Sequence, residues 1–286
     1  MTASTSRGWP APAKLNLFLH IIGRRTDGYH LLQTLFQFLD YNDMLDFTLR
    51  KDGRITRPSG PTEVPEEHDL VVRAAVLLQR CAGARQGAEI HLHKRLPRQA
   101  GLGGGSSDAA TTLVALNHLW NTGLATEELV RLGLEIGADV PVFIKGHAAW
   151  AEGIGEILTP VEIPESWYLV VQPACEIATR EIFQAPDLTR NSAPITIARF
   201  YGGEGRNDFE PVVRKRHPAV AEALDWLGRR ASPRLTGSGA CVFAGFERET
   251  EVRRVLADLP QGWRAFVARG RNRSPLLERL AAEPVA

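Results

Sequence analysis

Cysteine is scarce in this chain: Cys81, Cys175 and Cys241 are the only three in 286 residues. They are odd in number, widely separated and without Cys-x-x-Cys spacing, which excludes a disulfide framework and a zinc ribbon. Charge of one sign is also lacking, because 34 Lys and Arg face 33 Asp and Glu for a formal net charge of +1. Without a basic run there is no electrostatic footprint for nucleic acid. No apolar run is long enough to span a bilayer: the best, Leu15 to Ile22, is interrupted by Asn16 and His20. The N-terminus carries no cleavable signal pattern, and neither an internal repeat nor a low-complexity tract occurs. These absences predict a cytoplasmic protein that binds neither nucleic acid nor membrane, as a monomer or weak homodimer.

Apolar residues make up 44% of the chain, and its length exceeds one typical core. Two domains are expected, 1–164 and 165–286, with the change after Val161-Glu162-Ile163-Pro164. Glycine is plentiful, at 26 residues, and is most concentrated in Pro97-Arg98-Gln99-Ala100-Gly101-Leu102-Gly103-Gly104-Gly105-Ser106-Ser107-Asp108. There the missing Cβ atoms permit positive φ and let backbone N–H groups approach an anion. Ser106 and Ser107 add hydroxyl donors at a helix opening, where unpaired N–H groups and the dipole favour negative charge. Gly-Ser clusters are commonly linkers, but Leu113, Leu116 and Trp120 follow at helical spacing, so this one leads into order. The reading is a phosphate cradle.

Three familiar nucleotide loops are excluded by their letters. No lysine precedes Ser106-Ser107, as the Walker pattern requires, and G-x-G-x-x-G fails from Gly101 and from Gly103. Asp208-Phe209-Glu210 is not Asp-Phe-Gly, and no His-Arg-Asp occurs.

Elsewhere the pattern predicts a strand over Lys14 to Ile22, a turn-bearing loop Gly23 to His30, and strands at 31–39, 41–49 and 88–94. A polar stretch, Asp52 to His68, precedes a helix from Leu70 to Cys81, and a further helix runs from Thr126 to near Gly137. Ala148 to Thr159 reads as strand punctuated by Gly153 and Gly155, and Trp167 to Gln172 as another strand. The Ala/Glu-rich tail after Leu277 is expected to fray. Mixed strands and helices suggest α+β. His91 and His93 share one strand face without a third ligand, so a polar face is read there and no protein metal site is expected.

Pro97-x-x-x-Gly101-Leu102-Gly103 followed by Gly104-Gly105-Ser106-Ser107 resembles the phosphate loop of the GHMP kinases, small-molecule kinases that include galactokinase, homoserine kinase and mevalonate kinase. Pro12-Ala13-Lys14-Leu15-Asn16-Leu17, Arg25-Thr26-Asp27-Gly28-Tyr29-His30 and Gly137-Ala138-Asp139-Val140-Pro141-Val142-Phe143 are similar to the branch whose acceptor is a cytidine-diphosphate-linked methylerythritol. Arg234-Leu235-Thr236-Gly237-Ser238-Gly239 resembles the C-terminal motif, read as a loop closing over the phosphates. The likeness spans nearly the whole chain.

The resemblance implies a ribosomal-protein-S5-like first domain, a ferredoxin-like second domain, ATP as phosphoryl donor and Mg2+ arriving with it. S5-like architecture also serves nucleic-acid binding, against which the near-neutral charge argues. The resemblance further implies Asp139 as acceptor of the hydroxyl proton and Lys14 beside it, favouring the ionised carboxylate. A carboxylate just before Val140-Pro141 also suits a helix N-cap, and the two roles are compatible. Strand alternation sets Lys14 and Asn16 on one face. The same resemblance implies phosphate contacts from residues 97–107. For the acceptor it implies Asn16, Tyr29, His30, Thr179 and Phe183, with the tyrosine and phenylalanine rings stacking on the base and His30 bonding its edge. One departure is Asp69 where the family commonly has Asn: an ionised Asp cannot donate to adenine, but it caps the following helix well.

Overall fold

The computed structural model describes residues 4–60, 65 and 68–283. Strand β1 (Thr5–Arg24) pairs antiparallel with β2 (His30–Arg50), and the loop 25–29 joins them. β1 tolerates Pro10 and Pro12 because it has a ladder partner on one side only, and register shifts flank Lys14. β2 is continuous where the sequence predicted two strands. Asp40, Asn42 and Asp43 are poor strand formers, yet the two aspartates are held: Asp40 accepts from Arg269 N at 2.7 Å, and buried Asp43 accepts from Leu96 N at 2.7 Å.

On its other flank β2 pairs successively with β5 (Ala149–Glu152), β10 (Arg264–Arg271) and β4 (Gly87–His93), whose outer neighbour is the parallel β3 (Ile55–Ser59). The predicted strand over 148–159 is a hairpin, β5 with β6 (Ile157–Pro160), turned through Gly153 and Gly155. β10 continues the sheet to β7 (Trp167–Gln172), β9 (Val242–Phe246) and the short β8 (Arg234–Leu235). One sheet therefore runs through both halves of an α+β chain.

Helix α1 (Leu70–Ala82) starts as expected: Asp69 accepts from Val71 N at 2.8 Å, and Gly83 ends the helix in the left-handed region. α2 (Gly104–Leu119) begins two residues before the helix opening expected at Ser106. It is buried from Ser107 through Leu116, so apolar and small residues surround it and one-face periodicity is weak. With α3 (Thr126–Ile136) and α4 (Val140–Lys145) these helices cover the first sheet half over Trp9, Phe38, Phe47 and Phe143.

The second half carries α5 (Thr179–Phe183), α6 (Ile197–Tyr201), α7 (Glu210–Arg216), α8 (Pro218–Gly228) and α9 (Glu249–Ala257) around Leu169, Val171, Leu224 and Val242. A third cluster joins Ala13, Leu15, Ala100 and Leu102 to Val170, Cys241 and Phe243 between the halves. α10 (Pro275–Ala281), capped by Ser274 and with Leu276 fully buried in the first core, includes the start of the tail expected to fray after Leu277: Leu280 packs on that core and Arg279 lies over Trp9, while residues 284–286 lie outside the described residues. Its Leu-x-x-x-Leu-type apolar stripe outweighs the polar composition. Among the described residues no helix is long and apolar enough to cross a membrane.

Candidate active site

Lys14 is 3% exposed on β1, a position an ammonium holds only when it is paired. Its Nζ donates to Asn16 Oδ1 at 2.5 Å and to Gly101 O at 3.1 Å, and lies 3.4 Å from Asp139 Oδ2. Asp139 occupies the N-cap position of α4, yet its side chain accepts no capping bond. Its carboxylate is thus available to Lys14 and to the cleft, with its side chain 38% exposed.

The loop before α2 wraps this lysine. Lys14 N donates to Leu102 O at 3.0 Å. Gly101 and Gly103 have φ of +74° and +72°, and a Cβ on Gly101 would lie 2.0 Å from Thr236 O. A Cβ on Gly103 would meet the Phe143 ring at 2.8 Å. These two positions require glycine. Gly104 and Gly105, expected to share that freedom, are instead the first residues of α2, and a Cβ on either would find its nearest neighbour at 3.4 Å.

The C-terminal glycine motif locks onto the loop from the other half. Thr236 Oγ1 donates to Gly101 O at 3.1 Å and accepts from Asn16 N at 3.1 Å, while Ala240 N and Cys241 N each donate across 3.3 Å to Gln99 O and Ala100 O. Asn207, which no sequence signal singled out, donates at 2.8 Å to both Leu235 O and Gly237 O and so shapes that motif.

Residues 97–106, Lys14, Asn16, Tyr29, His30, Asp139, Thr179 and Phe183 line one cleft of about 1410 Å³. Ser107 does not: it faces inward from α2, fully buried, with Oγ bonded to no described residue. Asn16 is buried, with Oδ1 taken by Lys14 and Nδ2 donating to Thr34 at 3.0 Å. Thr179 Oγ1 lies 2.8 Å from Ser238 Oγ. At the far end the His30 and Phe183 rings sit 4.9 Å apart, and Tyr29 is 59% exposed at the rim. Burial, then the charges of Arg190 and Arg24, lower the His30 pKa, so the ring is neutral at pH 7.

Asp69 also lines the cleft, but its carboxylate is committed to the fold: Oδ1 caps α1 and Oδ2 pairs with buried Arg57 at 3.0 Å. Behind the loop Lys94 bridges two buried carboxylates, Asp43 and, at 2.7 Å, Asp108. Burial pushes the Asp108 carboxyl up to about 8 against the pull of Lys94. Burial opposes the Lys94 charge, but Asp108 and Asp43 outweigh it and its pKa is raised. Sequence reading missed this trio because its members lie on three elements. His91 sits 3.1 Å from Glu89 and His93 3.3 Å from Asp46 on the outer strand face.

The family model for the N-terminal domain of GHMP kinases matches residues 69–147, and that for the C-terminal domain matches residues 181–265. The chain belongs to the GHMP kinases. This GHMP kinase is 59% identical over 270 residues to a 4-diphosphocytidyl-2-C-methyl-D-erythritol kinase of Nitrosococcus oceani, covering 94% of the chain and 96% of the relative. It is likewise 59% identical over 280 residues to the enzyme of that name from Alkalilimnicola ehrlichii, with 98% and 96% covered. A crystal structure of a 4-(cytidine 5'-diphospho)-2C-methyl-D-erythritol kinase superposes with a TM-score of 0.79 at 31% identity, covering 93% of this chain and 99% of that one. A homoserine kinase from Cytophaga hutchinsonii, at 15% identity and TM-score 0.66 over 96% of this chain and 97% of its own, shares the fold.

Proposed function

We propose that this GHMP kinase transfers the γ-phosphoryl group of ATP to the 2-hydroxyl of 4-diphosphocytidyl-2-C-methyl-D-erythritol, in the non-mevalonate route to isoprenoid precursors. The observation that carries the mechanism is the approach of Lys14 Nζ to within 3.4 Å of Asp139 Oδ2, beside a glycine loop at a helix start. The triphosphate lies along residues 97–106, where backbone N–H groups and the α2 dipole face its charge. Asp139 accepts the proton of the acceptor hydroxyl. Lys14, held by Asn16 and the Gly101 carbonyl, sits beside that carboxylate and faces the moving phosphoryl.

A crowded tertiary alcohol makes positioning the main source of rate. The acceptor is anchored at its other end, with the cytosine between Tyr29 and Phe183 and against His30. Thr179 and the cleft-lining cations Arg24 and Arg180 face its diphosphate. Residues 1–164 thus carry the nucleotide, and 165–286 contribute the acceptor contacts of α5. Among the described residues no group of three or more His, Cys, Asp or Glu is able to hold a metal ion. Mg2+ arriving with ATP would neutralise phosphoryl charge. A loop ligand would come from Ser106, which lines the cleft, and not from buried Ser107.

The test is coupled ADP release with ATP and a panel of alcohols. The cytidylated methylerythritol should be turned over, while homoserine, mevalonate and galactose should not. Equal turnover of homoserine, or tight salt-sensitive RNA binding with no ADP formed, would overturn the reading.

A further inference from the structure

His30 forms a hydrogen bond whose polarity fixes the state of its ring. Arg190 Nε lies 3.1 Å from His30 Nε2. A guanidinium donates and cannot accept, so Nε2 must present its lone pair and the neutral imidazole must carry its hydrogen on Nδ1. Arg190 is itself oriented: Nη1 donates to Leu188 O at 3.0 Å, and Nη2 donates to Phe183 O at 2.9 Å and to Ala185 O at 2.8 Å. One of those carbonyls belongs to Phe183, whose ring lies against His30. A single side chain from the segment after α5 therefore fixes both the histidine tautomer and the ring packed against it. Nδ1 has no hydrogen-bond partner among the described residues, and His30 lines the acceptor end of the cleft.

We propose that Arg190 is a positioning residue for base selection: by holding His30 as the Nδ1–H tautomer, it makes this end of the cleft a hydrogen-bond donor that takes a pyrimidine with an acceptor at N3. Cytosine has a lone pair at N3. Uracil has N3–H there, which sets donor against donor. The charged groups facing the ring, Arg190 from the segment after α5 and Arg24 from β1, both oppose an imidazolium; a proton added in acid would go to Nε2, where it expels the Arg190 donor and leaves Nδ1–H unheld. The inference rests on the cytidine-bearing acceptor proposed above.

Two measurements test it. In the wild-type protein, 15N shifts of the His30 ring should report Nδ1–H at pH 7.5; Nε2–H or an imidazolium overturns the proposal without reference to any variant. Arg190→Met should raise KM for the cytidylated methylerythritol about 10- to 100-fold, with kcat changed less than about threefold, and lower the cytidine-over-uridine preference by a similar factor. Arg190→Lys keeps a cation and donors for the three carbonyls but not the planar fork, so it should lose the same preference while melting near the wild type. Wild-type turnover of the cytidylated alcohol, with base preference unchanged in both variants, overturns the role of Arg190 and leaves the kinase reading standing. Failure of the wild type to turn over that alcohol removes the kinase reading and this proposal together.

Discussion

At the glycine-loop end of the cleft, backbone meets backbone: Gly101 passes so close to Thr236 that no side chain fits, and main-chain bonds join residues 99 and 100 to 240 and 241. At the base end, side chains meet side chains: an exposed tyrosine on a five-residue loop, a histidine at a strand start and a phenylalanine on a single-turn helix. The difference suits the two ligands proposed for them. A triphosphate offers charge, which amide groups and a helix start satisfy without side-chain chemistry. A pyrimidine offers faces and a donor-acceptor edge, which only aromatic rings and tunable polar groups can read. The first end should fail by losing shape and the second by losing recognition.

Asp139 lies between the two ends and gives the largest effect. Asp139→Asn should lower kcat about 10²- to 10⁴-fold, with ATP binding by calorimetry near that of the wild type, since its carboxylate makes no capping bond. Retained turnover would remove it as the base. Next comes a contrast within the glycine run. Gly101→Ala forces a Cβ to 2.0 Å from a carbonyl oxygen at positive φ, and should cost at least about 1–3 kcal/mol in urea unfolding and weaken ATP binding. Gly104→Ala, inside the first turn of α2, should instead stabilise the fold by about 0.5–1 kcal/mol. Equal losses would show that the loop has no special backbone demand.

At the base end, Tyr29→Ala should raise acceptor KM about 5- to 100-fold through lost stacking. ATP KM should not move, and stability should change by no more than about 0.5 kcal/mol, the ring being largely exposed. The smallest effect is that of pH. The folded-state pKa of His30 lies below its ordinary 6.5, so the folded protein binds fewer protons there than the unfolded chain. Its contribution is present above pH 6.5 and is lost as pH falls through the lowered value. Protonation of Nε2 also breaks the Arg190 bond that holds the ring, so acceptor KM should be flat from pH 8 to 7 and rise in acid, and His30→Gln should flatten that rise. A rise on the alkaline side would contradict the neutral ring.

The two ends also differed in how far they could be read from sequence. The loop was legible because backbone recognition leaves glycines in a row and because α2 follows at once. The proposed catalytic pair needed the family resemblance, since Lys14 and Asp139 are 125 positions apart. Arg190 and Asn207 were invisible: each acts through carbonyl groups whose position only the fold defines. Ser107 was misplaced because a helix starting at Gly104 sets consecutive serines about 100° apart, which leaves Ser106 on the cleft and turns Ser107 into the core. The continuous β2 and the helical start of the tail after Leu277 were missed for a related reason, because tertiary partners for Asp40, Asp43 and Leu280 override local composition.

The most direct measurement is a crystal structure of this kinase with a non-hydrolysable ATP analogue and the cytidylated methylerythritol bound together. The triphosphate should lie along residues 97–106, with the acceptor 2-hydroxyl about 2.6–3.2 Å from the Asp139 carboxylate. An acceptor hydroxyl beyond reach of Asp139, or a nucleotide seated away from that loop, would contradict it.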